Sequence, residues 1–266
     1  MYLIKVGGGA AINLEGIAAD LAVLNLPSIV ILGANAIRDE VAGKLSTPAE
    51  EVTSVSGYSS VLTDRSMMDA IMMTYAGLHS QRFVELCQRQ GVNALSLSGL
   101  DGAVVRARQN RGIRVRQADK VLIKRDFSGK PTQVNGPLLQ LLLAQGYTIV
   151  LTIPLLGEDG AALNSENDDI VTALHATLSA ERIIQLIEAP GFLDDPSDPE
   201  TVIATLSRAD LVDREQQSSG RIKRKLMALR KLFDGDPVEI IIADGRVAQP
   251  LRQAMHGHGT HISVDR

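Results

Sequence analysis

The sequence predicts an α/β protein with a parallel sheet covered on both faces, and three observations carry that expectation. Short apolar runs alternate with longer amphipathic stretches from one end of the chain to the other. The runs Ile29–Leu32, Ile149–Leu151 and Ile240–Ile242 are apolar throughout, as strands buried on both sides are. The composition is that of an ordinary globular chain: 266 residues, 45% hydrophobic and 22% charged. Such a length buries a real core as one large domain or two modest ones.

In chain order, Tyr2–Val6 reads as a strand. Asn13–Leu26 reads as a helix, because Leu14, Ile17, Ala18, Leu21 and Leu24 recur at helical spacing. Ser28–Leu32 is the next strand, which completes a strand, glycine-loop, helix, strand unit. Met67–Arg89 is predicted as one long helix, interrupted at most by Gly77. Strands follow at Ala94–Leu97, Thr148–Thr152, Arg182–Ile187 and Val238–Ala243, with helices at Pro137–Gln145, Asp168–Leu178 and Ile222–Phe233. From Val104 to Arg125 the helical period stops, and the short alternating pieces Ile113–Arg116 and Lys120–Lys124 point to a small antiparallel excursion. Asp194–Pro199 is a surface loop. No internal repeat or low-complexity tract is found.

Composition also narrows function. A net charge of −4, no Trp, four Phe and four Tyr offer little for nucleic acid to bind or stack on. The single cysteine, Cys87, excludes an intrachain disulfide and fits a reducing compartment. The chain opens on MYLIKVGGG, a strand and turn rather than a secretory leader. No apolar run reaches the roughly 18 residues of a membrane span. These features give the expectation of a cytoplasmic protein with no membrane partner.

The sharpest local signal is Lys5-Val6-Gly7-Gly8-Gly9. Glycines between a strand and a helix let backbone N–H groups approach an anion closely, and the lysine adds a mobile cation. A tight turn explains the glycines alone equally well; the lysine beside them favours phosphate. The dinucleotide fingerprint fails, because Ile12 stands where a small residue is needed, and no Gly-Lys-Ser/Thr occurs for a P-loop.

Asn164-Ser-Glu166-Asn-Asp168-Asp169 precedes a helix and reads either as capping chemistry or as a carboxylate cluster that orders lysines or a magnesium–phosphate group. Gly220-Arg-Ile-Lys223-Arg-Lys225 is either a solvated helix face or a source of a lysine for a transferring phosphoryl group. Five arginines, Arg106, Arg108, Arg111, Arg114 and Arg116, lie between Ala103 and Ala118 with no acid among them. That is a solvated hairpin or a field that steers an acidic partner. His256, His258 and His261 lack the cysteine or carboxylate that completes a zinc set, so no metal is expected there and a surface loop is. His79 and His175 are expected to be structural, and Ser98–Gly102 a turn.

Together these residues resemble the amino-acid kinase family, in its acetylglutamate-kinase-like branch, beside the kinases that act on α-aminoadipate or glutamate attached to the LysW carrier protein. The landmarks are Lys5-Val-Gly-Gly, Leu62-Thr-Asp-Arg65, Leu97–Gly102, Val134-Asn135, Leu163-Asn164 through Asp168, Ala189-Pro-Gly191, Gly220–Lys225, Ala243–Arg246 and Gly259-Thr260. The resemblance implies a three-layer sandwich with a mostly parallel central sheet, of the carbamate-kinase-like type, as a single domain. Its half 1–155 would hold the acyl substrate and a homodimer contact, and its half 156–266 the nucleotide. The implied reaction transfers the γ-phosphoryl of ATP, with Mg2+, to a side-chain carboxylate, giving an acyl phosphate in lysine or arginine biosynthesis. Lys5 and Lys225 would neutralise charge on the transferring group, with Asp168 holding both. Gly7 and Gly8 would donate backbone N–H groups to phosphate; Gly191 and Lys223 would serve the nucleotide. Asn164 would contact the substrate's amino-acid end, and the arginine stretch would dock a small acidic carrier.

Two departures from the family pattern fall in the substrate half. The family's His-Gly-Gly is here Leu32-Gly33-Ala34-Asn35, which keeps one glycine and narrows the approach at Ala34. The family's substrate-binding arginine is replaced by Val61, with Arg65 and Arg38 as candidates to compensate. Two other readings are therefore carried: an N-acetylglutamate kinase that needs no docking surface, and a catalytically silent regulator that binds nucleotide or amino acid.

Overall fold

The computed structural model describes residues 1–53, 55, 59–110, 112–117, 120–218, 220–232 and 237–263; of residues 59–60, 115–117, 120 and 220–225 it describes the backbone alone. The chain starts with β1 (Tyr2–Val6), α1 (Leu14–Leu24), β2 (Ser28–Leu32) and α2 (Asn35–Lys44), then an antiparallel pair, β3 (Glu51–Thr53) and β4 (Ser59–Val61). A continuous helical rod follows: α3 (Arg65–Ile71), a π-helical stretch Met72–His79, and α4 (Ser80–Arg89). Next come β5 (Ala94–Ser98), β6 (Val105–Gln109), the hairpin β7 (Ile113–Gln117) and β8 (Lys120–Lys124), β9 (Gly129–Val134) and α5 (Gly136–Ala144). The second half holds β10 (Thr148–Thr152), β11 (Leu155–Gly157), β12 (Ala162–Leu163), α6 (Asn167–Leu178), β13 (Arg182–Ile187), β14 (Thr205–Leu206), α7 (Arg208–Gln217), α8 (Gly220–Leu232), β15 (Glu239–Asp244), α9 (Pro250–Met255) and β16 (Thr260–Ile262).

Among the described residues the main sheet runs β14-β16-β15-β13-β1-β2-β10-β5. Its pairs are parallel except β15 with β16. Successive strand residues point to opposite faces. Leu3, Ile29, Ile31, Ile149, Leu151 and Ile183 therefore pack on one side with Met68, Leu139, Leu174 and Leu229 from α3, α5, α6 and α8. Ile4, Val6, Val30, Leu32, Val150 and Ile184 pack on the other with Ile17, Leu21, Phe83 and Leu251 from α1, α4 and α9. The three-layer sandwich with a mostly parallel sheet is the observed architecture. A second sheet, β12-β11-β6-β9, stands beside it.

The strongly apolar elements match their sequence positions within a few residues, and Arg182–Ile187 matches end to end. The predicted helix over Met67–Arg89 is an unbroken rod that starts two residues earlier and widens into a π-helix around Gly77. The expected antiparallel excursion is the β7–β8 hairpin. His261 departs from the expected loop, since it lies on β16 with Nδ1 3.3 Å from Glu239 Oε1. No helix among the described residues is long and apolar enough to cross a membrane.

One buried carboxylate ties the ends of the chain together. Asp20 of α1 is fully buried. It accepts bonds from the N–H groups of Leu251 at 2.9 Å and Arg252 at 3.1 Å, and from Arg252 Nε at 2.7 Å. It thus satisfies the free amides at the start of α9 and pairs a guanidinium at once. Asp20→Ala leaves these donors without their acceptor and should lower unfolding free energy by about 2–4 kcal/mol, read from urea denaturation. A loss below about 0.5 kcal/mol, typical of surface changes, would contradict this role.

Candidate active site

Chain order reverses direction across the sheet between β1 and β13, since β2 follows on one side of β1 and the later strands build on the other. Ligands of open α/β sheets bind beyond the carboxyl ends of strands at such a switch point. Lys5, next to last in β1, reaches that crevice and forms an ion pair with Asp168 in the first turn of α6. The two side chains are only 13% and 20% exposed, so each charge stabilises a partner that water serves poorly. A cation fixed at the end of the central strand is available to an anion entering the crevice.

The glycines behind Lys5 work at the seam between strands. The Gly7 N–H donates to the Leu186 carbonyl at 2.9 Å, and the Gly33 N–H donates to Val6 at 2.9 Å. Both amides are consumed by strand continuation, so the expected phosphate donation by Gly7 is corrected: its N–H is already spent. The Gly8 N–H has no acceptor among the described residues. A Cβ at Gly8 would lie 2.5 Å from the Asn35 nitrogen and 2.8 Å from that of Ala34. The two backbones therefore touch where only glycine fits, and three peptide nitrogens gather there. Gly9 has a different reason: a Cβ there would overlap the Glu188 carboxylate, whose Oε1 accepts the Ala11 N–H at 2.7 Å.

A second group of predicted residues forms a ledge next to the ion pair. The Asn164 side chain donates to Thr63 Oγ1 at 2.9 Å, and its backbone N–H donates to Phe127 at 2.7 Å. The Phe127 N–H in turn donates to the Thr63 carbonyl at 2.8 Å. Thr63 is fully buried. The following residue, Asp64, caps α3 through the Met67 N–H at 2.8 Å, a bond that holds its carboxyl below the usual range. Arg65 lays its guanidinium over the Phe127 ring, 4.6 Å from the centroid. Val61 instead packs half-buried against the core.

Arg38, the other candidate to compensate, is buried and committed. Its Nε and Nη2 bind Asp39 Oδ1 at 2.8 and 2.7 Å, and its Nη1 binds Asn35 Oδ1 at 3.1 Å. Asn35 Oδ1 also accepts the Tyr75 hydroxyl at 2.6 Å, and burial pushes that phenol up to about 12. This Asn35–Tyr75–Arg38 cluster at the glycine seam escaped sequence reasoning. Asn35 had a signal, since it closes the altered Leu32–Asn35 segment, whereas nothing in the sequence marks Tyr75 as its partner.

The remaining predicted residues are placed unevenly. Lys223 and Lys225 belong to α8, which packs against α6, but their side chains lie outside the described residues. The expected convergence of Lys225 with Lys5 thus lies outside the described residues. Arg111 and the Arg116 side chain lie outside them as well. Arg106 and Arg108 are exposed on β6 while Val105 and Ala107 point inward, and Arg114 is exposed on β7. Gly191 has a packing reason, since a Cβ there would meet Thr260 Oγ1 at 2.8 Å and Val202 at 2.9 Å. No group of three His, Cys, Asp or Glu residues suited to a metal occurs among the described residues.

The Amino acid kinase family model matches residues 1–244. The chain belongs to this family. It is 35% identical to the LysW-aminoadipate kinase of Thermus thermophilus over 98% of this chain and 100% of that protein. It is 31% identical to the acetylglutamate kinase of Methanopyrus kandleri, again over 98% and 100%. Among solved structures, the carbamate kinase of Giardia lamblia bound to AMP-PNP superposes with a TM-score of 0.70 at 12% identity, over 99% of this chain and 98% of that one. That likeness is one of fold, and the expected carbamate-kinase-like sandwich is the fold observed.

Asp126, which precedes Phe127 on the ledge, is 3% exposed, and its Oδ2 is buried without a partner among the described residues. Burial raises its carboxyl above the ordinary value of 3.8, against a bond from Ser128 Oγ at 2.8 Å that lowers it. A raised native pKa means that the folded state binds the proton more tightly than the unfolded chain. The cost of the charge is therefore felt above the native pKa and is relieved as pH falls toward 3.8. Asp126→Asn should raise Tm at pH 8 and lose that advantage near pH 4; a gain independent of pH would refute this assignment.

Proposed function

We propose that the protein transfers the γ-phosphoryl group of ATP to the side-chain carboxylate of α-aminoadipate or glutamate carried on a LysW-type protein, in lysine or arginine biosynthesis. The observation that carries this reading is the half-buried Lys5–Asp168 pair at the end of the central strand, beside the unshared Gly8 N–H. A substrate carboxylate oxygen attacks the γ-phosphorus, the bond from that phosphorus to the β,γ-bridging oxygen breaks, and ADP leaves with its electrons. The product is an acyl phosphate. The carboxylate is already ionised at neutral pH, so no general base is needed and alignment with charge neutralisation suffices.

On this reading Lys5 meets the charge that builds on the transferring group, Asp168 fixes its ammonium, and Gly8 donates to a phosphate oxygen. Lys225 joins from α8, with Lys223 and Gly191 serving the nucleotide in the half 156–266. Gly33 and Ala34 line the acyl side, and Asn164 meets the substrate's amino-acid end, in the half 1–155. Mg2+ would travel with the nucleotide, held mainly by phosphate oxygens, and would supply further charge neutralisation. Glu188, whose Oε1 accepts the Ala11 N–H at the glycine loop, would be a carboxylate to meet it.

The carrier is proposed to dock on the basic segment that carries Arg106, Arg108, Arg111, Arg114 and Arg116. The exposed run Val121 (44%), Leu122 (43%) and Ile123 (65%) on the same hairpin supplies apolar area for such a contact. A homodimer through the first half would cover Met73 and Leu78 on the helical rod, each 47% exposed. A cytoplasmic setting completes the reading.

The test is ATP-dependent acyl phosphate formation on the loaded carrier, trapped with hydroxylamine. Lys5→Ala should lower kcat about 10²–10³-fold, the usual worth of one preorganised donor to the transition state, and should also lower Tm, because Asp168 is left without its partner. Retained turnover would overturn the role of Lys5. Arg106→Glu with Arg108→Glu should weaken carrier binding at low salt and less so at high salt; unchanged affinity would remove the docking face. The likeness to the acetylglutamate kinase favours one second reading. Turnover of free N-acetylglutamate at low-millimolar KM or better, with none on the carrier, would select it, and nucleotide binding without any turnover would mark a silent regulator.

A further inference from the structure

We infer that Gln185 is a further catalytic residue, whose side-chain NH2 donates to the β-phosphate of the nucleotide as that group leaves. The inference deepens the proposed function, resting on its nucleotide and not on its acceptor. β13 reads RIIQLI, and Gln185 is the one polar side chain among its four buried residues. A strand covered on both faces has little place for an amide. Gln185 is 5% exposed, and its side chain makes no hydrogen bond among the described residues. A buried amide without a partner costs free energy, which a ligand that accepts its hydrogen bonds would restore.

The strand register says what kind of ligand that is. Gln185 pairs with Lys5 of β1 on one side and with Ile242 of β15 on the other, and Lys5 pairs with Ile31 of β2. Residues in register on parallel strands project from the same face, about 4.8 Å apart. The row Ile31, Lys5, Gln185, Ile242 therefore sets an ammonium beside an amide, with an apolar residue at each end. Asp168 reaches Lys5 from α6, which lies over β1 and β2. Gln185 stands on the other side of Lys5, within the nucleotide half of the sheet. Because α8 precedes the parallel strand β15, it starts at the crevice end and aims its free N–H groups there.

An anion on this floor meets a cation, a neutral donor and a helix N-terminus together. The polyphosphate chain of a nucleotide offers acceptor oxygens, which the NH2 end of the amide fits. Negative charge moves onto the β-phosphate as the bond from the γ-phosphorus to the bridging oxygen breaks. A donor held there strengthens its bond in the transition state.

The experiment compares the unaltered protein with Gln185→Met, which keeps the length and removes the donor, and with Gln185→Glu, which keeps the shape and adds charge. Calorimetry measures ADP and AMP, and steady-state turnover is followed on the loaded carrier. Gln185→Met should weaken ADP about 10- to 100-fold, as loss of a hydrogen bond to a charged group does, with AMP little changed and kcat lowered. Gln185→Glu should weaken ADP further. Without nucleotide, the Tm of Gln185→Met should equal or exceed that of the unaltered protein, which a merely structural glutamine would not allow.

Equal ADP affinity in all three proteins, or an equal loss on ADP and AMP, would overturn the inference. Failure of the proposed function reads differently. ADP binding that depends on Gln185, without turnover on the carrier, would remove the acceptor and leave this contact standing. No ADP binding by the unaltered protein would remove the nucleotide and this assignment together.

Discussion

The structure around the crevice depends on the pairing of Lys5 with Asp168. An ammonium at the end of a central strand is largely shielded from water by neighbouring strands, and it is tolerable there only with a carboxylate beside it. That requirement fixes α6 over β1 and β2. With α6 in place, the segment that leads into it, Leu163–Glu166, is drawn across the second sheet, where Gly129 donates to the Asn164 carbonyl at 2.9 Å. One electrostatic demand at the sheet centre thus sets the position of a hydrogen-bonded ledge formed by segments distant in sequence.

The glycines answer a steric demand created by the same crowding. β1 and β2 run in register up to Val6 and Leu32, and beyond that point the two loops meet backbone to backbone. Gly8 and Gly33 are needed because each would drive a Cβ within 3 Å of the other loop. Conformational freedom is a lesser matter at these two sites, since neither adopts a positive φ. The Leu62-Thr63-Asp64-Arg65 segment shows a comparable economy. Its buried threonine anchors Asn164, its aspartate caps α3, and its arginine faces outward onto a ring.

Much of this was legible in the sequence, for reasons that can be traced to particular residues. The central strands announce themselves because burial on both faces leaves no room for polar residues, as in Ile29–Leu32. Lys5, Asp168 and Asn164 were readable as candidates from their neighbours, and Arg65 only from the resemblance to the family. What stayed hidden depends on distant contact. α2 buries only Arg38 and Ala42, so it carries no apolar stripe to betray it, and Tyr75 meets Asn35 across 40 positions. Gly7 misled because its hydrogen bond runs to Leu186, a pairing that exists only once β13 lies beside β1.

The uncovered strand Val121-Leu122-Ile123 has a consequence for handling the protein. Three consecutive apolar side chains on a two-stranded ribbon are an invitation to edge-to-edge aggregation. They are bracketed by Lys120, Lys124 and Arg125, the kind of flanking charges that act as gatekeepers by making stacked copies repel one another. High ionic strength would silence those gatekeepers, so concentrated preparations should be kept at low salt.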